Sequence, residues 1–156
     1  MKEDDIYRMI SDSGPEKEVA PEPVYLVPRE VQRRALNPPH LGDIPVPDGY
    51  AHVTGDCGDS MEVFLAIQDR LIRQARFDTL GCGFTLACGS MAMEMAEGKA
   101  VSEAMRVDAK KIAVALGGLP PTHEHCAELA TEALRKAIQD YLFRGKEPWK
   151  KLYRNR

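Results

Sequence analysis

The hydrophobic period of this sequence changes near residue 80, and that change limits the folds open to the chain. Between Met61 and Ile67 methionine, valine, leucine and isoleucine occupy every second position, as in a strand with one buried face, while glutamate, phenylalanine and alanine lie on the other face. From Phe84 they recur at helical spacing, through Cys88 and Met91. A run of strands followed by a run of helices is typical of the α+β class, in which helices pack against an antiparallel sheet.

Three predicted strands precede the change. They cover residues 50–54, 61–67 and 71–80, and the third fits a twisted or bulged strand because its apolar residues do not alternate strictly. The turn Gln68-Asp69-Arg70 joins the second strand to the third. Strands joined by short turns pair antiparallel. We therefore predict a three-stranded antiparallel sheet with helices packed on it.

Five helices are predicted around this sheet. The first, 31–36, ends before the Asn37-Pro38-Pro39 loop, because a residue that precedes proline avoids helical backbone angles. The second begins at Phe84 and ends at Glu97-Gly98-Lys99. A short helix capped by Ser102, another capped by Asp108 and stopped by Gly117-Gly118, and a long helix over 124–142 complete the set.

The two ends of the chain differ from its centre. Residues 1–26 are acidic and rich in proline, which predicts an extended, flexible leader. The folded domain is expected over 27–143. The basic tail 144–156 is interpreted as a solvated segment.

Composition excludes several classes of protein. A chain of 156 residues corresponds to about one domain, since single domains commonly run ~100–200 residues. A net charge of −3 argues against a dedicated nucleic-acid binder, and no apolar run approaches the ~18 residues of a membrane span. The N-terminus lacks the apolar stretch of a secretory signal, so we expect a cytoplasmic protein. In that compartment a metal or catalytic role for the four cysteines outweighs disulfides.

Cys57 lies in the loop sequence TGDCGDSM between two predicted strands. Gly55 and Gly58 remove side chains around it, so its sulfur is expected to be accessible. The carboxylates of Asp56 and Asp59 disfavour a negatively charged thiolate beside them. Because the thiolate is the nucleophile, they argue against Cys57 as a catalytic nucleophile without a metal ion. A metal ion reverses that argument, because it deprotonates a ligating thiol and accepts a neighbouring oxygen ligand.

Two further cysteines lie at predicted helix N-termini, where unpaired N–H groups stabilise a thiolate. Cys82 stands in GCG before the second helix, and Cys126 stands in the first turn of the last one. His125, adjacent to Cys126, is the stronger candidate ligand; His123 is a weaker candidate, for which we favour the interpretation as a solvated cap residue. Cys88 falls on an apolar helical stripe, and we assign it to core packing.

Three thiols, each on a glycine-flanked loop or a helix start, predict one site assembled from three segments. The spacing Cys-x24-Cys-x43-Cys is not that of a zinc finger or a ferredoxin. Thiolate-rich coordination selects zinc, Cu(I) or iron–sulfur clusters over hard cations. The residues alone thus indicate a soft-metal or cluster site, with a carboxylate or imidazole available as a further ligand.

Five motifs carry a resemblance to a known family. In order they are NPPHLG at 37–42, TGDCGDSM at 54–61, FDTLGCG at 77–83, GSMAMEMAEGK at 89–99 and LGGLPPTHEHCAELA at 116–130. Together, from Val27 to Leu142, the chain resembles the NifU/IscU-type iron–sulfur cluster assembly scaffolds. The resemblance implies a non-enzymatic scaffold with an α+β fold.

The resemblance also implies roles for individual residues. Cys57, Cys82 and Cys126 would hold the nascent cluster, or bind iron or zinc beforehand. Asp59 matches an aspartate that ligates metal and makes the cluster labile, and His125 matches a further ligand. Cys126 matches the cysteine that receives persulfide sulfur.

The implied cargo is a [2Fe–2S] cluster, sometimes [4Fe–4S], and the implied partners are a cysteine desulfurase and recipient apo iron–sulfur proteins. The chain would be a monomer, or a homo-oligomer on cluster binding. The bacterial LPPVK motif, recognised by an Hsp70-type chaperone system, reads LPPTH at 119–123, which counts against that partner.

Two alternatives stay open. A zinc-binding sulfur-acceptor protein of the same superfamily typically has a longer stretch between its second and third cysteines and lacks the histidine, so His125 favours the scaffold. A zinc hydrolase or deaminase, with Glu124 or Asp59 as general base, ranks below both, because the sequence has no HExxH or HxE…CxxC signature.

Overall fold

The computed structural model describes residues 26–146. The predicted acidic leader, except Leu26, and the basic tail beyond residue 146 lie outside the described residues. The elements follow in the order α1 (Arg29–Leu36), β1 (Gly49–Thr54), β2 (Ser60–Gln68), β3 (Leu71–Thr79), α2 (Gly83–Ala96), α3 (Val101–Ala104), α4 (Ala109–Ala115), a 3-10 turn (Pro121–His123) and α5 (Glu124–Lys146).

The sheet has the predicted topology, with antiparallel strands in the order β1-β2-β3. Asp69 and Arg70 form the two-residue turn between β2 and β3, with φ of 54° and 60°. The register shifts between Ala66 and Ile67, so the predicted bulge in β3 is confirmed and leaves Arg73 without a pairing partner in the ladder. The buried face of β2 carries the alternating residues inferred from the sequence, and α2 and α5 cover the sheet.

Helix α2 is buried on more sides than the sequence suggested. The predicted single stripe through Cys88 is too narrow, because Ala87, Ala92 and Met93 are also fully buried. The reason is that α1, α5 and β3 all pack against this helix. Cys88 itself is fully buried, as predicted for a core residue.

An ion pair between a buried arginine and an exposed glutamate fixes α1 to α2. The guanidinium of Arg34 is almost fully buried, donates to Ser90 Oγ at 2.9 Å and pairs with the Glu94 carboxylate. Arg34 also pairs with the Glu30 carboxylate at 3.3 Å, so its buried charge has carboxylate partners on both helices. This contact fixes α1 against the C-terminal half of α2, where Ser90 and Glu94 lie.

The long helix α5 is anchored on the sheet by close packing. Gly49 of β1 faces the carbonyl oxygen of Ala137 so closely that a Cβ atom at position 49 would collide with it. The helix extends to Lys146, beyond the predicted end at Leu142, because the Asp140–Arg144 ion pair (2.7 Å) continues it.

The other helix boundaries match the predicted ones or differ from them by one or two residues. The Asp108 carboxylate caps α4 by accepting the Lys111 N–H at 2.8 Å, as predicted. The predicted Ser102 cap is wrong, because the helix begins at Val101 with Ala100 at the N-cap position. Helix α1 begins at Arg29, two residues earlier than predicted. None of the helices within residues 26–146 combines the length and apolarity needed to cross a lipid bilayer.

Candidate metal and cluster site

Loops and helix starts from three parts of the chain meet at one end of the domain. They are the β1–β2 loop, the β3–α2 loop with the first turn of α2, and the 3-10 turn with the start of α5. Every predicted site residue is on one of these segments: Cys57, Asp59, Cys82, His125 and Cys126.

The β1–β2 loop presents Cys57 to solvent. The Gly55 N–H donates to the Asp59 carbonyl at 2.8 Å, and the Gly58 N–H donates to the Gly55 carbonyl at 3.0 Å. Gly58 has φ of +88°, which side chains disfavour. The tight turn leaves Cys57 exposed, as its glycine neighbours predicted.

Cys82 occupies the N-cap position of α2 and is exposed. Partial burial acts to raise the pKa of its thiol. Hydrogen bonds from the Thr85 N–H, the Thr85 hydroxyl and the Phe84 N–H outweigh that effect, so the pKa of Cys82 lies below its ordinary value. The thiolate preference predicted for a helix start is therefore present at this position.

Cys126 differs from Cys82 although it also begins a helix. Its side chain is fully buried. Burial raises the pKa of Cys126 to about 11; the Thr85 hydroxyl opposes this, and the charges of Cys82 and Asp59 add to it. Without a bound cation Cys126 is therefore a neutral thiol at physiological pH.

Thr85 connects the site residues, and sequence reasoning missed it. Its buried hydroxyl lies 3.0 Å from Asp59 Oδ2, 3.4 Å from Cys126 Sγ and 3.6 Å from Cys82 Sγ, so its single proton can be donated to any one of the three. A Cβ atom at Gly81 would lie 2.8 Å from the Thr85 side chain, so the glycine before Cys82 makes this approach possible. The available signal was the i,i+3 spacing of Cys82 and Thr85, which places both on one face of a helix start.

The candidate ligand atoms form two groups with no residue in common. Those of Cys57, Asp59 and His125 all lie within 4.8 Å of one another, and so do those of Cys82, His123 and Cys126. The groups are adjacent, since His125 Nε2 lies 3.7 Å from Cys126 Sγ.

The interpretation of His123 as a solvated cap residue is wrong. Its ring is half-buried and stacks on Phe84, with centroids 4.0 Å apart and planes inclined by 16°. The sequence could not show this contact, because it depends on how α2 packs against the 3-10 turn.

Cys88 belongs to neither group. Burial, followed by the charges of Cys126 and Cys82, raises the pKa of its thiol above the ordinary range. An inert, protonated sulfur is consistent with its place in the core.

The donor set determines which ions the site suits. Thiolate sulfur and imidazole nitrogen favour zinc, iron and iron–sulfur clusters, and one carboxylate does not make the site suitable for magnesium or calcium. All four cysteines are free, so three thiols are available as ligands.

Comparisons with known proteins agree with this chemistry. The NifU-like N terminal domain family matches residues 27–148. An iron–sulfur cluster assembly scaffold protein, IscU 1 of Archaeoglobus fulgidus, is 43% identical over 106 residues, covering 67% of this chain and 69% of that protein. The IscU scaffold of Aquifex aeolicus is 38% identical over 112 residues, covering 70% and 71%.

The fold is also found among solved structures. The N-terminal part of a NifU-like protein from Brucella abortus aligns with a TM-score of 0.60 at 17% identity, covering 74% of this chain and 93% of that one. This likeness confirms the predicted α+β fold. The sequence matches confirm the family that the five motifs indicated, and the chain belongs to the NifU-like N-terminal domain family.

Proposed function

We propose that this protein is a scaffold on which an iron–sulfur cluster is assembled and from which the cluster passes to apo-proteins. The observation that carries the proposal is the meeting of three free cysteines, from three separate segments, with Asp59 and His125 at one end of the domain. The names of the Archaeoglobus and Aquifex relatives support the same role.

The mixture of ligands suits temporary storage. A permanent site would use four strong ligands and a closed surrounding shell. Here the thiols of Cys57, Cys82 and Cys126 are joined by a half-buried carboxylate, Asp59, which the Thr85 hydroxyl holds by one hydrogen bond. A ligand of this kind can leave and open a coordination position to a thiolate of the recipient protein.

Cys126 is the proposed acceptor of sulfur. Its thiolate would attack the outer sulfur of a persulfide on a cysteine desulfurase; a new S–S bond forms at Cys126, and the donor's S–S bond breaks to leave a thiolate. Burial raises the pKa of the metal-free thiol to about 11, and a cation bound at the site would lower it and favour the reactive thiolate.

The finer assignments are parts of the same proposal. The cargo is a [2Fe–2S] cluster, with [4Fe–4S] as the alternative, and iron or zinc occupies the cluster-free site. The partners are a cysteine desulfurase and recipient apo-proteins, and the protein acts as a carrier rather than an enzyme. Four unpaired cysteines favour the reducing cytoplasm.

Anaerobic purification followed by measurement of iron, sulfide and zinc, together with a visible spectrum, tests the proposal. We expect a reconstitutable cluster that moves to an apo-ferredoxin. Variants at the three site cysteines should lose it, while the matched Cys88→Ser control keeps it. One tightly held zinc per chain with no reconstitutable absorbance would instead favour the zinc-binding sulfur-acceptor alternative, and zinc-dependent turnover would favour a hydrolase.

A further inference from the structure

One of the two ring nitrogens of His123, Nδ1, is buried at the site without a hydrogen-bond partner among the described residues. A buried polar atom without a partner is costly, and such atoms in native proteins call for an explanation such as a missing ion.

The ring is fixed in place from two sides. The backbone N–H of His123 donates to the Pro120 carbonyl at 2.9 Å within the 3-10 turn, and the ring face stacks on Phe84 in the first turn of α2. Phe84 follows Cys82 by two residues, so this stacking holds the imidazole beside the start of α2, where the Cys82 thiolate is stabilised.

The spacing of the ligand atoms fits one small ion after a short adjustment. A ring nitrogen of His123 and the sulfurs of Cys82 and Cys126 lie within 4.8 Å of one another. In a tetrahedral zinc site, metal–ligand distances of about 2.0–2.3 Å place the ligand atoms about 3.3–3.8 Å apart. Contraction by about 1 Å is within the reach of side-chain rotation at a loop and a helix end.

We propose that Cys82, His123 and Cys126 form a three-ligand site for a single zinc or ferrous ion. Two thiolates and an imidazole match the preference of such borderline-soft cations, and they leave a fourth position open. The site shares no residue with the Cys57, Asp59 and His125 group. Its biological role, loading the first metal at the buried sulfur acceptor, rests on the proposed function, whereas metal binding itself does not.

Zinc and cobalt binding to the full-length, metal-free protein test the inference. Zinc affinity is measured by competition with a chromophoric chelator, and Co²⁺ reports its ligands through its charge-transfer and ligand-field bands. The main variant is His123→Phe, which keeps an aromatic ring on Phe84 but removes the ligand nitrogen. His52→Ala, an exposed histidine of β1, is the matched control.

We expect His123→Phe to weaken zinc binding at least about 10-fold, since losing even an outer-shell partner of a ligand typically costs about 10–100-fold. Its Co²⁺ complex should keep thiolate charge-transfer absorption but change its ligand-field bands. His52→Ala should behave as wild type. Wild-type zinc affinity and wild-type cobalt bands in His123→Phe would overturn the inference. A loss of zinc affinity in His123→Ala would not rescue it in that case, because the ring would then act by stacking alone.

Cluster reconstitution separates this inference from the proposed function. If wild-type protein binds zinc through His123 but never forms a transferable cluster, the scaffold role fails and the metal site stands. If the cluster forms and transfers while His123→Phe binds zinc normally, the metal site fails and the scaffold role stands.

Discussion

Thr85→Val removes the hydroxyl that joins three of the site residues and leaves a side chain of nearly the same shape. The wild-type hydroxyl is fully buried, lies 3.0 Å from Asp59 Oδ2 and is also within reach of the Cys82 and Cys126 sulfurs. The substitution therefore changes hydrogen bonding at the site while the packing of α2 is largely kept.

The expected magnitudes follow from these contacts. A hydrogen bond to a charged group contributes about 1.5–3 kcal/mol, but water can partly replace it at the half-buried Asp59, so we expect the free energy of unfolding to fall by about 1–2 kcal/mol. Cys82 shares the same single proton, so loss of the hydroxyl removes at most one bond worth about 0.5–1.5 kcal/mol from that thiolate, which raises the pKa of the thiol and reduces its thiolate fraction by at most about 2- to 10-fold near neutral pH. The alkylation rate of Cys82 should fall by a smaller factor than the thiolate fraction, because a thiolate of higher pKa is more nucleophilic.

Urea denaturation and mass-spectrometric alkylation of the metal-free protein measure both effects. Thr131→Val is the matched control, because Thr131 is also buried but its hydroxyl donates to the Ala127 carbonyl within α5, at 2.9 Å. That variant should leave thiol reactivity unchanged. If Thr85→Val alkylates Cys82 at the wild-type rate, the hydroxyl does not stabilise the thiolate and the reasoning is wrong.

Three further predictions concern the ligands. Asp59→Ala should prolong the lifetime of a bound cluster, because it removes the most exchangeable ligand; an unchanged or shorter lifetime in anaerobic transfer assays would count against this role. Cys57→Ser, Cys82→Ser and Cys126→Ser should each reduce iron and sulfide content after reconstitution, whereas Cys88→Ser should be near neutral, and loss of the cluster in Cys88→Ser would contradict its core assignment. In the metal-free protein iodoacetamide should modify Cys82 before Cys126 at neutral pH, with Cys126 reacting only as the pH approaches about 11; equal neutral rates would refute that order.

The fold was largely predictable because its pattern is local. Alternation in β2, the Asp69-Arg70 turn and the Asp108 cap depend on a few neighbouring residues, and the structure confirms each of them. The extent of burial of α2 was not predictable in the same way. It depends on three elements that pack around the helix, and no local period encodes how many neighbours a helix has.

The site residues were likewise predictable where the signal is local and not where it depends on packing between distant segments. Glycine neighbours and helix starts are local features, and they suffice to mark Cys57, Cys82 and Cys126 as loop or helix-terminal thiols. The contrast between an exposed Cys82 and a buried Cys126, and the roles of Thr85 and His123, arise only when α2 and α5 are packed side by side. These contacts link residues about 40 positions apart, which a single sequence does not reveal.

The close contact between Gly49 and Ala137 has a consequence for the opposite end of α5. Ala137 lies eleven residues from Cys126, which is about 16 Å along a helix that rises 1.5 Å per residue. Because α5 is one continuous helix, a displacement at Ala137, where it contacts Gly49 of the sheet, also moves its N-terminal turn. A methyl group introduced at position 49 would tilt or shift α5 and move the Cys126 thiol, which it does not contact. The position of this candidate ligand therefore depends in part on the absence of a side chain on a distant strand.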